Sequence, residues 1–152
     1  MLIAHLPVGY ITATAAARLG ARSLFYGLLA GSVLPDIDML WFHFVDQGAV
    51  HHHEYLTHRP VLWLLVGMIG LLFKRHLLIG LGIGGLLHMV LDSIAGAIAW
   101  RWPLSEATTT LVTIPATHDN WVMSFLFHWT FLSEIALLLI ALLILVFRWR
   151  SA

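Results

Sequence analysis

The sequence predicts an all-α, polytopic membrane bundle of about five helices, and three observations carry that reading. The 152-residue chain is 60% hydrophobic, with a mean hydropathy of +0.88. Only 11% of it is charged, against roughly a quarter in soluble domains, which is too little to clothe a water-exposed surface. Five apolar stretches alternate with polar breaks, and Pro35, Pro60, Pro103 and Pro115 all fall at or inside those breaks, where a missing backbone N–H does least harm. A chain of this length is one domain, so residues 1–152 read as a single membrane-embedded unit.

The first stretch runs from Leu2 to about Leu19. It lacks a basic leader and carries His5 and Pro7 early, so it reads as retained structure rather than a signal peptide. The second, Leu24 to Leu34, and the third, Val61 to Phe73, fall short of the ~20 apolar residues that cross a bilayer. They fit helices that tilt, thin the bilayer or lie partly inside the bundle. The fourth, Leu77 to Trp100, and the fifth, Trp121 to Phe147, are long enough alone. Small residues at Ala13 to Ala17 and at Gly80, Gly82, Gly84 and Gly85 suit close helix approach in lipid, and packing is their simplest role.

Charge gives an orientation. If each stretch crosses once, Arg18 and Arg22, Lys74 and Arg75, and Arg148 and Arg150 share one side, which basic loops mark as cytoplasmic. The breaks from Pro35 to Pro60 and from Arg101 to Asn120 then face the other compartment of an inner membrane, with Arg59 and Arg101 as their basic residues. A formal net charge of zero offers nothing to a nucleic-acid backbone. The chain has no cysteine, which excludes disulfides, thiolate metal sites and cysteine nucleophiles. Ten histidines remain and need a reason in so apolar a chain.

That reason lies at the outer ends of the helices. His5 opens the first stretch, Asp36 and Asp38 close the second, and His51, His52, His53 and His58 precede the third. His88 and Asp92 sit four residues apart late in the fourth, on one helix face. Imidazole and carboxylate bind zinc, manganese or iron(II) without sulfur, and ionisable groups at membrane depth normally pair, coordinate or line a pathway. Two carboxylates and several histidines suffice for paired metals of the kind that assist displacement at phosphorus.

Each part also has a plainer reading. His43 and His76 read as interfacial. His88 with Asp92 can be a buried hydrogen-bonded pair, and Asp36 and Asp38 after a proline can be a turn. The triple His51 to His53 can be a polar loop. Their convergence at one level favours a shared site. His128 is a further candidate ligand, whereas Glu134 also reads as a helix-start residue beside Ser133.

At this point the residues resemble the YdjM-like family of membrane-associated proteins regarded as metal-dependent hydrolases. The matching elements are His5, Pro35-Asp36-Ile37-Asp38, the His-x4-His element from His53 to His58, the His-x3-Asp element from His88 to Asp92, and Trp102-Pro103. That family is similar in turn to the zinc-dependent phospholipase C and P1 nuclease group, all-helical enzymes with clustered zincs. The resemblance implies a phospholipase C/P1 nuclease-like core in which His5, Asp36, His58, His88 and Asp92 are ligands, with Asp38 and His53 close by. The group's later His-x3-Glu is not reproduced, since His128 and Glu134 stand at another spacing. The Arg-Gly and Ser that usually flank the two histidines give way to Glu54, Tyr55 and Arg59.

The function expected is hydrolysis of a lipid or lipid-linked phosphoester by metal-activated water, with one to three ions. Zinc is the first choice, and manganese or iron the alternatives. Asp38 would orient or deprotonate that water. Arg59 and Arg101 would hold phosphate oxygens, their plainer role being to snorkel toward headgroups. The rivals are a non-enzymatic membrane metal-binding or transport protein, a haem bundle pairing His88 with His128, and an inactive relative that keeps its metal for folding. Transport needs a polar route to the cytoplasmic side, where the helices are almost wholly apolar. Haem leaves Asp36 and Asp38 without a role. The sequence says nothing of oligomeric state.

Overall fold

The computed structural model describes residues 3–17 and 21–150, and among them the five apolar stretches form six α-helices while the break from Pro35 to Pro60 adds a seventh. Arg18, counted above with the basic residues, lies outside the described residues. The helices are α1 (His5–Ala16), α2 (Arg22–Gly31), α3 (Asp38–Phe44), α4 (Pro60–Leu72), α5 (His76–Ala95), α6 (Trp121–Leu126) and α7 (Trp129–Arg150). No strand forms among the described residues beyond one isolated bridge between Ile98 and Thr109.

The helix count corrects the expected five for two local reasons. Met39-Leu40-Trp41-Phe42 give the Pro35–Pro60 break enough apolar character for α3, and Pro35 turns the chain into it through a 3-10 turn at Leu34–Ile37. The segment from Leu34 to Phe44 is bent by 50° from α2. The fifth stretch is cut at His128, whose Nδ1 lies 2.9 Å from the Thr130 hydroxyl and 3.4 Å from the Thr130 backbone nitrogen. That side chain serves one of the unpaired N–H groups at the start of α7.

The central helix is α5, which packs between α2 and α4, while α1 packs on α2 and α7. The α2–α5 seam runs backbone against backbone. A Cβ at Gly27 would sit 2.2 Å from the Leu77 carbonyl oxygen, one at Gly80 2.5 Å from that of Leu24, and one at Gly84 2.4 Å from that of Leu28. The glycines read as packing residues are packing residues.

Two helices, α5 and α7, are long and apolar enough to cross a membrane, or three spans exist if α2 and residues 34–44 count as one broken span. Half of the most apolar window of α5 is buried, but only 17% of that of α7. Leu139, Leu142, Leu143 and Phe147 of α7 are exposed, and a surface of that kind requires lipid as its solvent.

The topology sorts the two ends of the bundle. The starts of α1 and α4 and the ends of α2 and α5 share one end, which carries His5, Asp36, His58, His88 and Asp92. Arg22, Lys74, Arg75, Arg148 and Arg150 fall at the opposite helix ends, where Arg22 and Arg148 line one shallow depression. Beyond α5, the loop from Gly96 to Asn120 returns along the site end. It is fastened by hydrogen bonds from Leu111 N to Ser93 O and from Val112 N to Ile94 O, both 2.8 Å, and it contains a cis Trp102–Pro103 peptide.

Candidate metal centre

Asp92 is the hub of the site. It stands one turn after His88 on α5, and its Oδ2 lies 2.9 Å from His88 Nε2, 3.5 Å from His58 Nε2 and 3.7 Å from His53 Nε2. Its Oδ1 lies 3.0 Å from His5 Nε2. Asp36 faces the same imidazoles from the 3-10 turn after α2. Its Oδ1 is 3.5 Å from His88 Nε2 and 3.7 Å from His58 Nε2, and its Oδ2 is 3.8 Å from His5 Nδ1. His5 and His88 stack with ring centroids 3.8 Å apart.

The remote nitrogens of two of these rings are tied down, which decides what the near ones can do. His88 Nδ1 donates to the Ser32 carbonyl at 2.8 Å. His58 Nδ1 lies 2.5 Å from Asp38 Oδ2, which also accepts the Thr57 hydroxyl. Such outer partners fix the tautomer and aim the opposite nitrogen, as they do around bound metals. The Nε2 atoms of His5, His58 and His88 are buried and make no hydrogen bond of acceptable geometry. Buried polar atoms are rarely left in that state. Nitrogens in that state could serve as ligands to a cation.

Four groups among the described residues offer ligand atoms that lie within 4.8 Å of one another: His5, His88 and Asp92; His53, His58 and Asp92; Asp36, His52 and His58; and the more exposed run His51, His52 and His53. Each could hold a metal ion. The donors are nitrogen and oxygen only, a set suited to zinc, manganese or iron(II).

Small residues and buried caps place these side chains. A Cβ at Gly96 would meet His53 Cε1 at 2.4 Å, and one at Gly9 would meet Ser32 Oγ at 2.0 Å. Trp63 donates from Nε1 to the Thr57 carbonyl at 2.7 Å, holding the 3-10 turn that carries His58. Glu134, fully buried on α7, accepts from Ile3 N at 2.6 Å and Ala4 N at 3.0 Å. It thereby caps α1 at the turn where His5 begins.

The segment before α4 is electrostatically divided. Burial alone would lower the pKa of His58, but the carboxylates of Asp38 and Asp92 outweigh it and raise the pKa to about 9. Burial lowers His52 to about 4, helped by His58 and His51. His53 falls to about 2, with burial the main cause and Asp92 opposing it only in part. In the metal-free chain His58 therefore carries a proton at neutral pH while its two neighbours are bare imidazoles.

The structure brings together His5, Asp36, His53, His58, His88 and Asp92. Asp38 belongs to none of the ligand groups and stands behind His58 as its orienting carboxylate. His128 caps α7 and belongs to no ligand group either. Arg59 lines the cavity onto which the cluster opens, whereas Arg101 is exposed and does not. His52 joins the cluster although only His53 was singled out from the triple. Its signal was its place in that run, but the 3-10 turn at His52–Glu54 that turns both rings inward is not visible in the spelling. Glu134 is a cap on α1, a contact across 130 residues that no local pattern announces.

The cavity holds about 1950 Å³. It is lined by Asp36, His52, His53, Arg59 and Asp92 and by residues of the loop between Glu106 and Asp119.

Fold and site together define a helical membrane protein with a buried histidine–aspartate centre of metal-binding chemistry. The chain belongs to the YdjM inner membrane protein family, whose family model matches residues 1–152. No curated protein and no solved structure matches it.

Proposed function

We propose that the chain is a membrane-bound metal-dependent hydrolase that cleaves the phosphoester of a lipid or lipid-linked substrate on the extracytoplasmic side. One observation carries the reading. Asp92 faces His5, His53, His58 and His88 at once, so two ligand groups share a carboxylate at the wall of an open cavity. Shared carboxylates suit paired ions, and paired ions suit in-line displacement at phosphorus. The resemblance of the ligand order to the phospholipase C and P1 nuclease group points the same way, and zinc is the ion best suited to the donor set.

Divalent ions bound there supply Lewis acidity and a more acidic water. The chain's own residues do the rest. Asp92 and Asp36 offset cationic charge in a poorly hydrated place. Asp38 holds the His58 ring by its Nδ1 and so acts as a positioning residue, not as the base that touches water. Arg59, the lysine or arginine that lines the cavity among the described residues, meets phosphate oxygens. A site at the headgroup level of a bilayer meets lipid phosphates first.

The test is metal analysis and turnover of the purified protein beside the double variant His88→Ala, Asp92→Ala. A bound transition metal and hydrolysis of one member of a panel of phospholipids and polyprenyl phosphates, both lost in the variant, is the expected result. Wild-type protein that is metal-replete yet inert toward the whole panel overturns the enzyme and leaves a binding protein.

A further inference from the structure

The geometry points to an oxyanion subsite at the cavity wall, centred on Arg59 and filled in the resting protein by the Glu106 carboxylate. It deepens the hydrolase reading and rests on it only for which phosphate is bound. Arg59 is 13% exposed at its side chain and is held on three sides. Its Nη2 donates to the Glu54 carbonyl at 2.9 Å, its guanidinium carbon lies 5.6 Å from the Trp102 ring centroid, and its Nη1 lies 3.3 Å from Glu106 Oε2.

The first two contacts hold the guanidinium without answering its charge. Among the described residues Glu106 answers it, from a side chain that is 72% exposed on the loop after the cis proline. A nearly buried cation needs a counter-charge, and a phosphate oxygen can replace a carboxylate oxygen on the same guanidinium edge. Both partners line the cavity that Asp36 and Asp92 face. An oxyanion entering there takes the place of Glu106 and frees the loop that carries it. The shared chemistry is a phosphate oxyanion, free or as a lipid headgroup. Met39, Phe42, Trp121 and Phe125 line the same cavity and give an alkyl chain an apolar wall.

Binding of inorganic phosphate and of dodecylphosphonate, whose carbon–phosphorus bond resists hydrolysis, is measured on the full chain as purified in detergent. Glu106→Gln is expected to bind both roughly tenfold more tightly than wild type, about the worth of one competing charge-assisted contact. Arg59→Gln loses that binding, and the double variant keeps the weak affinity of Arg59→Gln. A gain confined to neither probe supports an oxyanion site in general. A larger gain for the phosphonate supports a headgroup site.

Glu106 is exposed, so its variant folds. The metal content of Arg59→Gln reports whether that variant keeps the site. No gain in Glu106→Gln, or a double variant as tight as Glu106→Gln, overturns the subsite. Turnover of lipid phosphates is read separately: tightened binding in an inert protein upholds the subsite and sinks only the reaction.

Discussion

His58 and Asp38 meet at 2.5 Å through Nδ1 and Oδ2, which leaves His58 Nε2 as the atom that faces Asp36 and Asp92. The Asp38 Oδ2 thus decides which His58 nitrogen faces the ligand space, while its Oδ1 lies 4.0 Å from His52 Nδ1. Asp38→Asn is expected to keep the helical fold and to lose about 10- to 100-fold in ion affinity, the usual cost of an outer-shell partner. Competition with a chelating dye measures it. An unchanged affinity would remove Asp38 from the site.

This pair also shows what could be read in the chain. His88 and Asp92 were legible because an i, i+4 spacing fixes their shared face locally. Asp36, His53 and His58 were legible as types at a common membrane level. The division of labour between Asp36 and Asp38 was not, because Asp36 sits in the 3-10 turn and Asp38 opens α3, and the angle across that junction is not set by spelling. The helix count failed where a polar break hid a seven-residue helix and where a histidine side chain restarted an apolar run. Arg101 and Arg59 looked equivalent by charge, and only the path of the loop tells the lining residue from the exposed one.

Glu134 receives two backbone N–H groups from the start of α1. Glu134→Ala leaves those donors unpaired in a buried place, at a cost of about 1–3 kcal/mol, and loosens the turn that carries His5. Thermal unfolding in detergent should fall for Glu134→Ala and recover most of the way for Glu134→Gln, whose amide oxygen still accepts. Equal losses in both would show that the negative charge, not the capping oxygen, is what matters.

Gly96 leaves room for the His53 ring. With a Cβ placed 2.4 Å from Cε1, Gly96→Ala must push that ring away from Asp92, at a strain cost of about 1–3 kcal/mol. The His53, His58 and Asp92 group should fail while the His5, His88 and Asp92 group survives. A fall in the metal-to-protein ratio without its loss is the expected reading, and an unchanged ratio would exclude His53 as a ligand.

Acidity separates the metal-free protein from the loaded one. His58, raised to about 9, contributes stability that is complete below the unfolded value near 6.5 and is lost as pH rises through 9. His52 and His53, lowered to about 4 and about 2, contribute stability present above 6.5 and lost as pH falls toward those values. Chelator-treated protein should therefore unfold at its highest temperature near pH 6.5, with losses on both sides. Added zinc should remove the alkaline loss, because the ion takes the place of the His58 proton. A melting curve that stays flat from pH 6.5 to 9 without metal would contradict the pairing of His58 with its carboxylates.

The glycine seam between α2 and α5 sets how the centre can tolerate change. With backbone against backbone at Gly27, Gly80 and Gly84, the two rods cannot slide a turn or part without losing the contact, so the gauge between Ser32 and His88 is fixed like the jaw of a vice. The segment that carries His52, His53 and His58 rests on short turns instead. Ions of unequal radius would meet one unyielding half and one forgiving half, and any discrimination by size belongs to the side built on the α2–α5 seam.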